Sequence, residues 1–312
     1  MWIWYVHEFA ENDDGGCLTR LLFYVGNEVY SLIERCGVRI MEKANKDVTI
    51  IIATHKKYHM PKDGMYLPVH VGAEGKDIDL GYMKDNTGEN ISEKNASYCE
   101  LTGLYWAWKN LDSAYIGLAH YRRHFSYSKK SKDAFENVLK YSEIKPLLKK
   151  YKVFVPRKRN YYIETLYSHY AHTHYASHLD ETRKIIKKMH PQYLKNYDIV
   201  MNRRWGYMFN MMIMQKELFS DYCEWLFSIL FELEKRIGKE NENLSGFQGR
   251  FYGRVSEILF NVWLEQKMTE GKVKNTEVKE LNFVYMEKID WKRKGMSFLK
   301  AKFGHKKYEG SF

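Results

Sequence analysis

Short apolar runs alternate with polar segments over the first half of the chain. The β-branched run Val48 to Ala53 predicts a buried strand, and Tyr66 to Val71 predicts a second one. After a Gly-, Asp- and Asn-rich loop, Ser97 to Asn110 has the i, i+3, i+4, i+7 apolar spacing of an amphipathic helix. The segment YIGLAHYRRHF belongs to a third strand, Ala114 to Ala119. This order predicts an α/β fold with a mostly parallel sheet flanked by helices.

The second half of the chain is predicted to be mainly helical, with two further strands. In chain order, we expect a short helix at Ile144 to Lys150, a strand at Lys152 to Pro156, a helical stretch from Tyr161 to about Met189, a strand at Tyr207 to Gln215, and strong helices at Lys216 to Ile237 and Val255 to Lys267. The chain has only five prolines and no Ser/Gly/Pro-rich stretch. Because no linker is visible, we expect one main domain.

Basic residues follow three of the predicted strands. They are His55, Lys56 and Lys57, then Arg122 and Arg123, then Arg157, Lys158 and Arg159. Ligands of open α/β sheets bind beyond the carboxyl ends of the strands, and the guanidinium fork matches phosphate oxygens. A structural salt bridge is the ordinary explanation for a single arginine. Three basic strand ends favour a shared anion site, suited to a diphosphate.

Composition and charge narrow the choice of partner and compartment. The net charge of +11 indicates nucleic acid, an anionic membrane surface or a phosphorylated small molecule. The basic residues form no recognition helix and no RNP-like pattern, so nucleic acid is the least favoured. The four cysteines form no CxxC pair, which argues against a zinc ribbon or a disulfide framework and favours the cytoplasm. We expect neither a signal peptide nor a membrane-spanning segment.

Four histidines lie close together in SHYAHTHYASHLD: His169, His172, His174 and His178. His174 and His178 have the i, i+4 spacing that holds metals on helices, and Asp180 offers an oxygen ligand. The four side chains cannot share one helical face, however, and no HExxH motif occurs. We therefore favour a polar groove wall in which one histidine binds a hydroxyl or phosphate.

Acidic residues are the candidates for proton transfer. No GxSxG, Walker A, GxGxxG or CxxC motif occurs, which argues against the common hydrolase, nucleoside-triphosphatase and dinucleotide-binding classes. Glu257 begins an apolar helix, where burial would raise its pKa, and Asp180 and Glu224 lie near other polar clusters. A helix cap or a salt bridge is the ordinary alternative for each.

The segment Trp291 to Tyr308 is basic and amphipathic. It has seven Lys/Arg and no acid, with Phe298, Leu299 and Phe303 interleaved. Such a segment is suited to anionic lipid headgroups. A solvated basic tail is the alternative.

Five segments resemble one protein family. They are IIIATHKKYHMP, LGYMKDNTGENISEKN, YCELTGLYWAWKNLDSAYIGLAHYRRHF, YMFNMMIMQKELFSDYCEWLF and the helix around SEILFNVWL. They resemble a bacterial family, long described as a domain of unknown function, whose members occur as glycosyltransferases of capsular, exopolysaccharide and O-antigen synthesis. The resemblance covers about Asp47 to Lys267. It divides the chain into an extension of unknown role (1–46), a transferase domain (47–270) and a basic segment (271–312).

The resemblance implies a GT-A-like transferase with a Rossmann-like sheet and a helical C-terminal part. The implied donor is a nucleotide-diphosphate sugar, such as a UDP-linked galactopyranose or galactofuranose. The implied acceptor is a polyprenyl-diphosphate-linked glycan at the inner face of the plasma membrane. Such folds usually hold Mg²⁺ or Mn²⁺ with Asp-x-Asp after a strand, where this chain has His120-Tyr121-Arg122-Arg123. Since guanidinium charge also stabilises a leaving diphosphate, we expect metal-independent transfer, with Mn²⁺ or Mg²⁺ as the alternative.

The resemblance also implies roles for individual residues. The donor side comprises Thr54, His55, Lys57, Asn90, Glu93, Lys94, His120, Arg122 and Arg123. The sugar or acceptor side comprises Asn210, Met212, His174 and Arg250. Glu257 is the first candidate for the catalytic base and Asp180 the second, and no metal ligand is assigned. The alternative function is a non-catalytic protein that binds glycan or anionic lipid. No oligomeric state is predicted.

Overall fold

The computed structural model describes residues 47–128, 131–244 and 246–287, together with the backbone of four strands among the first 46 residues. Those strands are β1 (Val6–Glu11), β2 (Cys17–Val25), β3 (Glu28–Arg35) and β4 (Val38–Lys43). Each pairs antiparallel with the next. The N-terminal extension, to which the sequence assigns no role, therefore contains a four-stranded antiparallel sheet.

The remaining strands belong almost entirely to one eight-stranded sheet, ordered β13-β10-β14-β9-β8-β5-β6-β7. The short strands β11 and β12 pair only with each other. The bounds are β5 (Val48–Thr54), β6 (Tyr66–His70), β7 (Met83–Lys84), β8 (Tyr115–His120), β9 (Arg123–Ser126), β10 (Val153–Pro156), β11 (Arg159–Asn160), β12 (Trp205–Gly206), β13 (Met212–Gln215) and β14 (Val278–Tyr285).

The large sheet is mixed, so the prediction of a mostly parallel sheet needs correction. Strands β5, β6, β7 and β8 are parallel neighbours, as predicted. Strand β9 turns back directly after β8, and β13 runs antiparallel to both β10 and β8. Because β13 pairs on both sides, the strands β8, β9, β14, β10 and β13 close into a ring. Half of the sheet is thus an open parallel layer and half is barrel-like.

The last strand changes the expected domain boundary. Strand β14 lies between β9 and β10, with Leu281 buried in the core. The family resemblance places these residues in the basic segment 271–312, whereas the sheet of the domain extends past residue 270 to Tyr285. The basic stretch 291–308 lies outside the described residues.

The helices are α1 (Asn95–Tyr98), α2 (Leu101–Asn110), α3 (Tyr141–Ile144), α4 (Leu166–Thr173), α5 (Ala176–Met189), α6 (Leu194–Met201), α7 (Lys216–Ile237) and α8 (Phe251–Thr269). The two strong helices of the C-terminal half are confirmed. The helix predicted from Ser97 is interrupted at Cys99, where φ is +54°. The strand predicted from Tyr207 begins only at Met212, because Phe209 and Asn210 adopt left-handed φ values of 78° and 53°.

Apolar side chains cover both faces of the sheet. Helices α2, α7 and α8 pack one face with residues such as Leu104, Leu226 and Trp263. The interior of the ring holds Phe125 and Phe154. In the described part of the chain, no helix is long and apolar enough to cross a bilayer.

Candidate functional site

A cavity of about 630 Å³ opens at the carboxyl ends of β5, β8 and β10. We call its two main sides the sheet wall and the helical wall. The sheet wall comprises His55, His120, Arg122 and Arg123, and the helical wall comprises Arg250, Arg254 and Glu257. Other lining residues complete the cavity, among them Gly72, Glu74, Lys76, Glu93, Cys99, Glu100, Arg159, Tyr161, His169 and His174.

The sheet wall follows from the pairing of two parallel strands. Because β5 and β8 are parallel neighbours, His55 and His120 reach the same edge. The chain then turns through Tyr121 and Arg122 into β9. The Arg123 guanidinium carbon lies 3.7 Å from the Phe209 ring centroid and 4.8 Å from that of Tyr285. The aromatic faces hold this buried cation without neutralising it.

The helical wall is a polar stripe on an otherwise apolar helix. Arg250, Arg254 and Glu257 follow the i, i+4, i+7 spacing at the start of α8 and therefore share one face. The Arg254 guanidinium carbon lies 4.3 Å from the Phe247 ring centroid. Among the residues that the structure describes, neither Arg250 nor Arg254 forms an ion pair with a carboxylate. Their charge is available to an anionic ligand.

Glu257 is the ionisable group of the helical wall. Burial raises the pKa of its carboxyl above the usual value, although the nearby Arg254 guanidinium and a hydrogen bond from the Phe209 backbone lower it. A carboxylate retained for a structural salt bridge would have a lowered pKa. Ionisation of this carboxyl is therefore less favourable in the folded protein than in water, which is typical of a functional acid or base.

A strained turn connects the two walls. Phe209 and Asn210 are both left-handed, a conformation unfavourable for residues other than glycine. The Asn210 amide donates to Glu100 Oε1 at 2.7 Å and to the Gly253 carbonyl at 2.9 Å, and its oxygen accepts from Ser256 Oγ at 2.6 Å. This turn fixes the Phe209 ring under Arg123 and the Phe209 N–H against Glu257.

Glu164 orients two histidines beside the cavity. It is buried, and its two oxygens lie 2.7 Å from Nδ1 of His169 and 2.7 Å from Nδ1 of His172. Burial opposes ionisation, but these hydrogen bonds lower the Glu164 pKa overall. Since an ionised carboxylate only accepts, Nδ1 of His169 carries the proton and Nε2 is the basic nitrogen. Burial lowers the pKa of His169 to about 4, so the ring is neutral at pH 7.

The other cavity histidines are neutral for similar reasons. Burial, reinforced by Arg122 and Arg123, lowers the pKa of His120 to about 3. Burial and Arg254 lower that of His174 to about 3. Burial also lowers the pKa of His55, followed by the charges of Lys56, Arg122, Arg250 and Lys76. The positive charge of the site thus comes from arginine and lysine.

The cavity gathers eight of the residues predicted from the sequence: His55, Glu93, His120, Arg122, Arg123, His174, Arg250 and Glu257. Three others make structural contacts and do not line the cavity. The Thr54 hydroxyl donates to the Lys56 carbonyl at 2.6 Å, and the Asn90 side chain accepts from the Ser92 N–H at 3.1 Å. Lys94 pairs with Glu234 at 3.0 Å. These residues shape the loops behind the cavity.

The remaining predicted residues lie elsewhere. Lys57 is exposed and does not line the cavity. Met212 is buried in β13, and Asn210 stands behind the wall in the strained turn. Asp180 is exposed, accepts from the Tyr167 hydroxyl at 2.9 Å and lines a separate cavity of about 260 Å³. The structure does not bring Asp180 to the other candidates.

His174 and His178, which have the i, i+4 spacing of metal ligands, make separate contacts. His174 Nδ1 bonds to Gln248 Oε1 at 2.8 Å, whereas His178 Nδ1 bonds to the Tyr170 hydroxyl at 2.9 Å. In the described ranges, no group of three or more His, Cys, Asp or Glu is arranged to hold a metal ion. The expectation of a polar groove wall agrees with the position of His169 and His174 in the cavity lining.

Sequence reasoning missed Arg254, Glu100 and the acidic support of the glycine-rich loop. The signal for Arg254 was its spacing from Arg250 and Glu257. Glu100 faces the cavity because the helix breaks at Cys99. The supporting acid is Asp85, which is buried and accepts from the N–H groups of Gly72 at 2.8 Å and Ala73 at 3.0 Å. A side chain at Gly72 would collide with Asn95, and φ there is +67°.

Comparisons with known proteins identify the family of the chain and a solved structure with a similar fold. The family DUF4422, described as a domain of unknown function, matches residues 49–268, and the chain belongs to this family. Among solved structures, the chain is similar to the apo structure of WbbM, a bifunctional glycosyltransferase, with a TM-score of 0.71 and 30% sequence identity. The similarity covers 78% of this chain and 46% of that one. No curated protein matches. The fold is therefore glycosyltransferase-like.

Proposed function

We propose that the chain is a glycosyltransferase whose donor is a nucleotide-diphosphate sugar. The observation that carries this proposal is the cavity at the strand ends. Within the described residues Arg250 and Arg254 form no ion pair, and they share a helix face with Glu257, whose pKa is raised by burial. Unneutralised guanidinium groups suit a diphosphate, and a poised carboxylate suits proton transfer. The similarity to a glycosyltransferase supports the same conclusion.

The diphosphate would bind at the sheet edge. Arg122, Arg250 and Lys76 all line the cavity, and after burial and Lys56 their charges also lower the pKa of His55. Arg122 is partly exposed, and its ion pair with Glu287 is long, at 4.0 Å. These cations can stabilise the negative charge that develops on the leaving diphosphate. We therefore propose that arginines take the part that a divalent metal plays in related enzymes.

Glu257 would act as the base. As an acceptor hydroxyl oxygen forms its bond to the anomeric carbon, the hydroxyl proton moves to the Glu257 carboxylate. The bond from that carbon to the diphosphate oxygen breaks, and the electron pair leaves with the diphosphate. His169, oriented by Glu164, replaces Asp180 as the second candidate, because it lines the cavity and Asp180 does not.

The finer assignment concerns the substrates. We propose a UDP-hexose donor, galactopyranose or galactofuranose, and a polyprenyl-diphosphate-linked glycan acceptor of surface polysaccharide synthesis at the inner face of the plasma membrane. The resemblance to the family and the basic character of the chain support this choice.

The test uses the full chain with UDP-, GDP- and dTDP-sugars, each in EDTA and in Mn²⁺. We expect donor hydrolysis, and transfer to a lipid-linked acceptor, with a UDP-sugar in EDTA. Activity that is lost in EDTA and returns with Mn²⁺ would contradict the metal-independent mechanism alone. Tight nucleotide-sugar or glycan binding without turnover under any condition would identify a non-catalytic binding protein instead.

A further inference from the structure

The most exposed apolar side chains of the described residues lie next to each other, outside the cavity. Tyr162 has 78% of its surface exposed and Ile163 has 64%. They form the tip of the short connection between β11 and α4. A single exposed apolar residue is ordinary, but two adjacent ones at a loop tip indicate a contact surface.

Hydrogen bonds fix the conformation of the tip. Tyr162 is left-handed, with φ of 54°. Its carbonyl accepts from the Arg204 guanidinium at 3.2 Å, and the Tyr161 N–H donates to the Arg204 carbonyl at 2.8 Å. Directly after the tip, the buried Glu164 is fixed by two histidines. The fold therefore presents Tyr162 and Ile163 outward at little further conformational cost.

Basic residues lie near the tip: Arg204 contacts the Tyr162 carbonyl, and Arg157 and Lys158 precede the tip in the chain. Arg157, Lys158 and Arg204 are exposed. Lys158 forms an ion pair with Glu280, with Nζ 3.4 Å from Oε1. Arg157 and Arg204 form no ion pair with any described carboxylate. An exposed aromatic ring and a branched aliphatic chain next to exposed basic residues match the interface of an anionic bilayer, where apolar groups enter and cations meet headgroups.

The tip adjoins the cavity. Tyr161, one residue before it, lines the cavity, and so does Arg159 two residues earlier. A membrane bound at the tip would therefore lie near the cavity opening, as a lipid-linked substrate requires.

We propose that Tyr162 and Ile163, with Arg157 and Arg204, dock the protein on an anionic lipid bilayer. The proposal rests on the proposed function only for the lipid-linked nature of the acceptor; the docking surface itself is defined by exposure and charge.

The experiment is sedimentation of the full chain with phosphatidylcholine vesicles, with and without phosphatidylglycerol. We expect Tyr162→Ser with Ile163→Ser to weaken binding to anionic vesicles about tenfold, because two apolar side chains no longer enter the interface. Arg157→Gln with Arg204→Gln should weaken binding at low salt and have a smaller effect at high salt. The matched control is Ile78→Ser, since Ile78 is 62% exposed but lies between Asp77 and Asp79.

Several outcomes would overturn the proposal. They are absence of binding by the parent chain, equal loss in the Ile78 control, or unchanged binding by the Tyr162/Ile163 variant. A change in the oligomeric state of that variant, measured by light scattering, with vesicle binding intact would identify a protein contact instead. Ile163→Ser alone is the substitute if the double variant melts early. Donor hydrolysis is measured separately in solution, so its absence, with docking as expected, would contradict only the proposed function.

Discussion

The two walls of the cavity hold their charged groups by different means. In the sheet wall, strand ends deliver the side chains, and Arg123 is fixed between the rings of Phe209 and Tyr285. In the helical wall, Arg250 caps the start of α8, and the following turns of the helix deliver Arg254 and Glu257. Only the helical wall contains a carboxylate whose pKa is raised. We infer from this difference that the two walls have different roles. The sheet wall would stabilise the charge of the diphosphate, and the helical wall would accept the proton of the acceptor hydroxyl.

Replacing the helical-wall acid should have the largest effect. We expect Glu257→Gln to lower kcat by about 10²–10⁴-fold, the usual contribution of a general base. The folded-state pKa of Glu257 is raised, so its ionisation costs stability as pH rises through that pKa. The melting temperature of the variant at pH 8 should therefore equal or exceed that of the parent.

The control for this variant is Glu224→Gln, an exposed glutamate on α7 that lines neither described cavity. If Glu257→Gln keeps kcat within a few-fold while His169→Gln abolishes turnover, His169 is the base. In that case Glu164→Gln should also reduce kcat, since it removes the group that orients His169.

Replacing a sheet-wall cation should have the next largest effect. Arg122→Gln is expected to lower kcat/KM by about 10²-fold, the loss typical of one group that stabilises developing charge. A matched control is Arg183→Gln, since Arg183 is a surface arginine paired with Asp198 at 2.7 Å. If Arg122→Gln and the control behave alike, the sheet wall does not bind the diphosphate.

Acid should destabilise the fold through its buried histidines. Burial lowers the pKa of His124 to about 4 and that of His178 to about 4, as it does for His169. A histidine with a lowered folded-state pKa contributes stability above its unfolded value of about 6.5 and loses it as pH falls toward the folded-state value. We expect the melting temperature to fall steeply between about pH 6.5 and pH 4. A flat profile across this range would show that folding does not lower the pKa values of these histidines.

The smallest effect is expected at Asp180. Asp180→Asn should keep kcat within about twofold of the parent, because an exposed side chain remote from the reacting atoms contributes little to catalysis. A larger loss, measured beside Glu257→Gln in the same transfer assay, would place part of the acceptor site at the second cavity.

The sequence predicts the sheet wall better than the helical wall. A β-branched run followed by polar residues marks a strand and its functional end, so His55, His120 and Arg122 could be found without a structure. Glu257 was found as an acid on an apolar helix, and Arg250 through resemblance. Arg254 was overlooked because a single arginine in a helix is ordinarily solvated. Asn210 was predicted to face the sugar or acceptor, whereas it lies behind the cavity wall in a left-handed turn. The sequence of this segment resembles a strand and gives no sign of that turn.

The position of β14 has a consequence for the order in which the protein can be assembled. This strand comes last among the described elements, yet in the ring it pairs with β9 on one side and with β10 on the other. A nascent chain that has not yet released residue 285 from the ribosome leaves both neighbours with unpaired edges, which invite association with other chains. Completion of the ring, and of the contact between Tyr285 and Arg123, therefore requires that residues 278–285 have left the ribosome. Any shortened version of this protein should retain residues 278–285 if it is to fold.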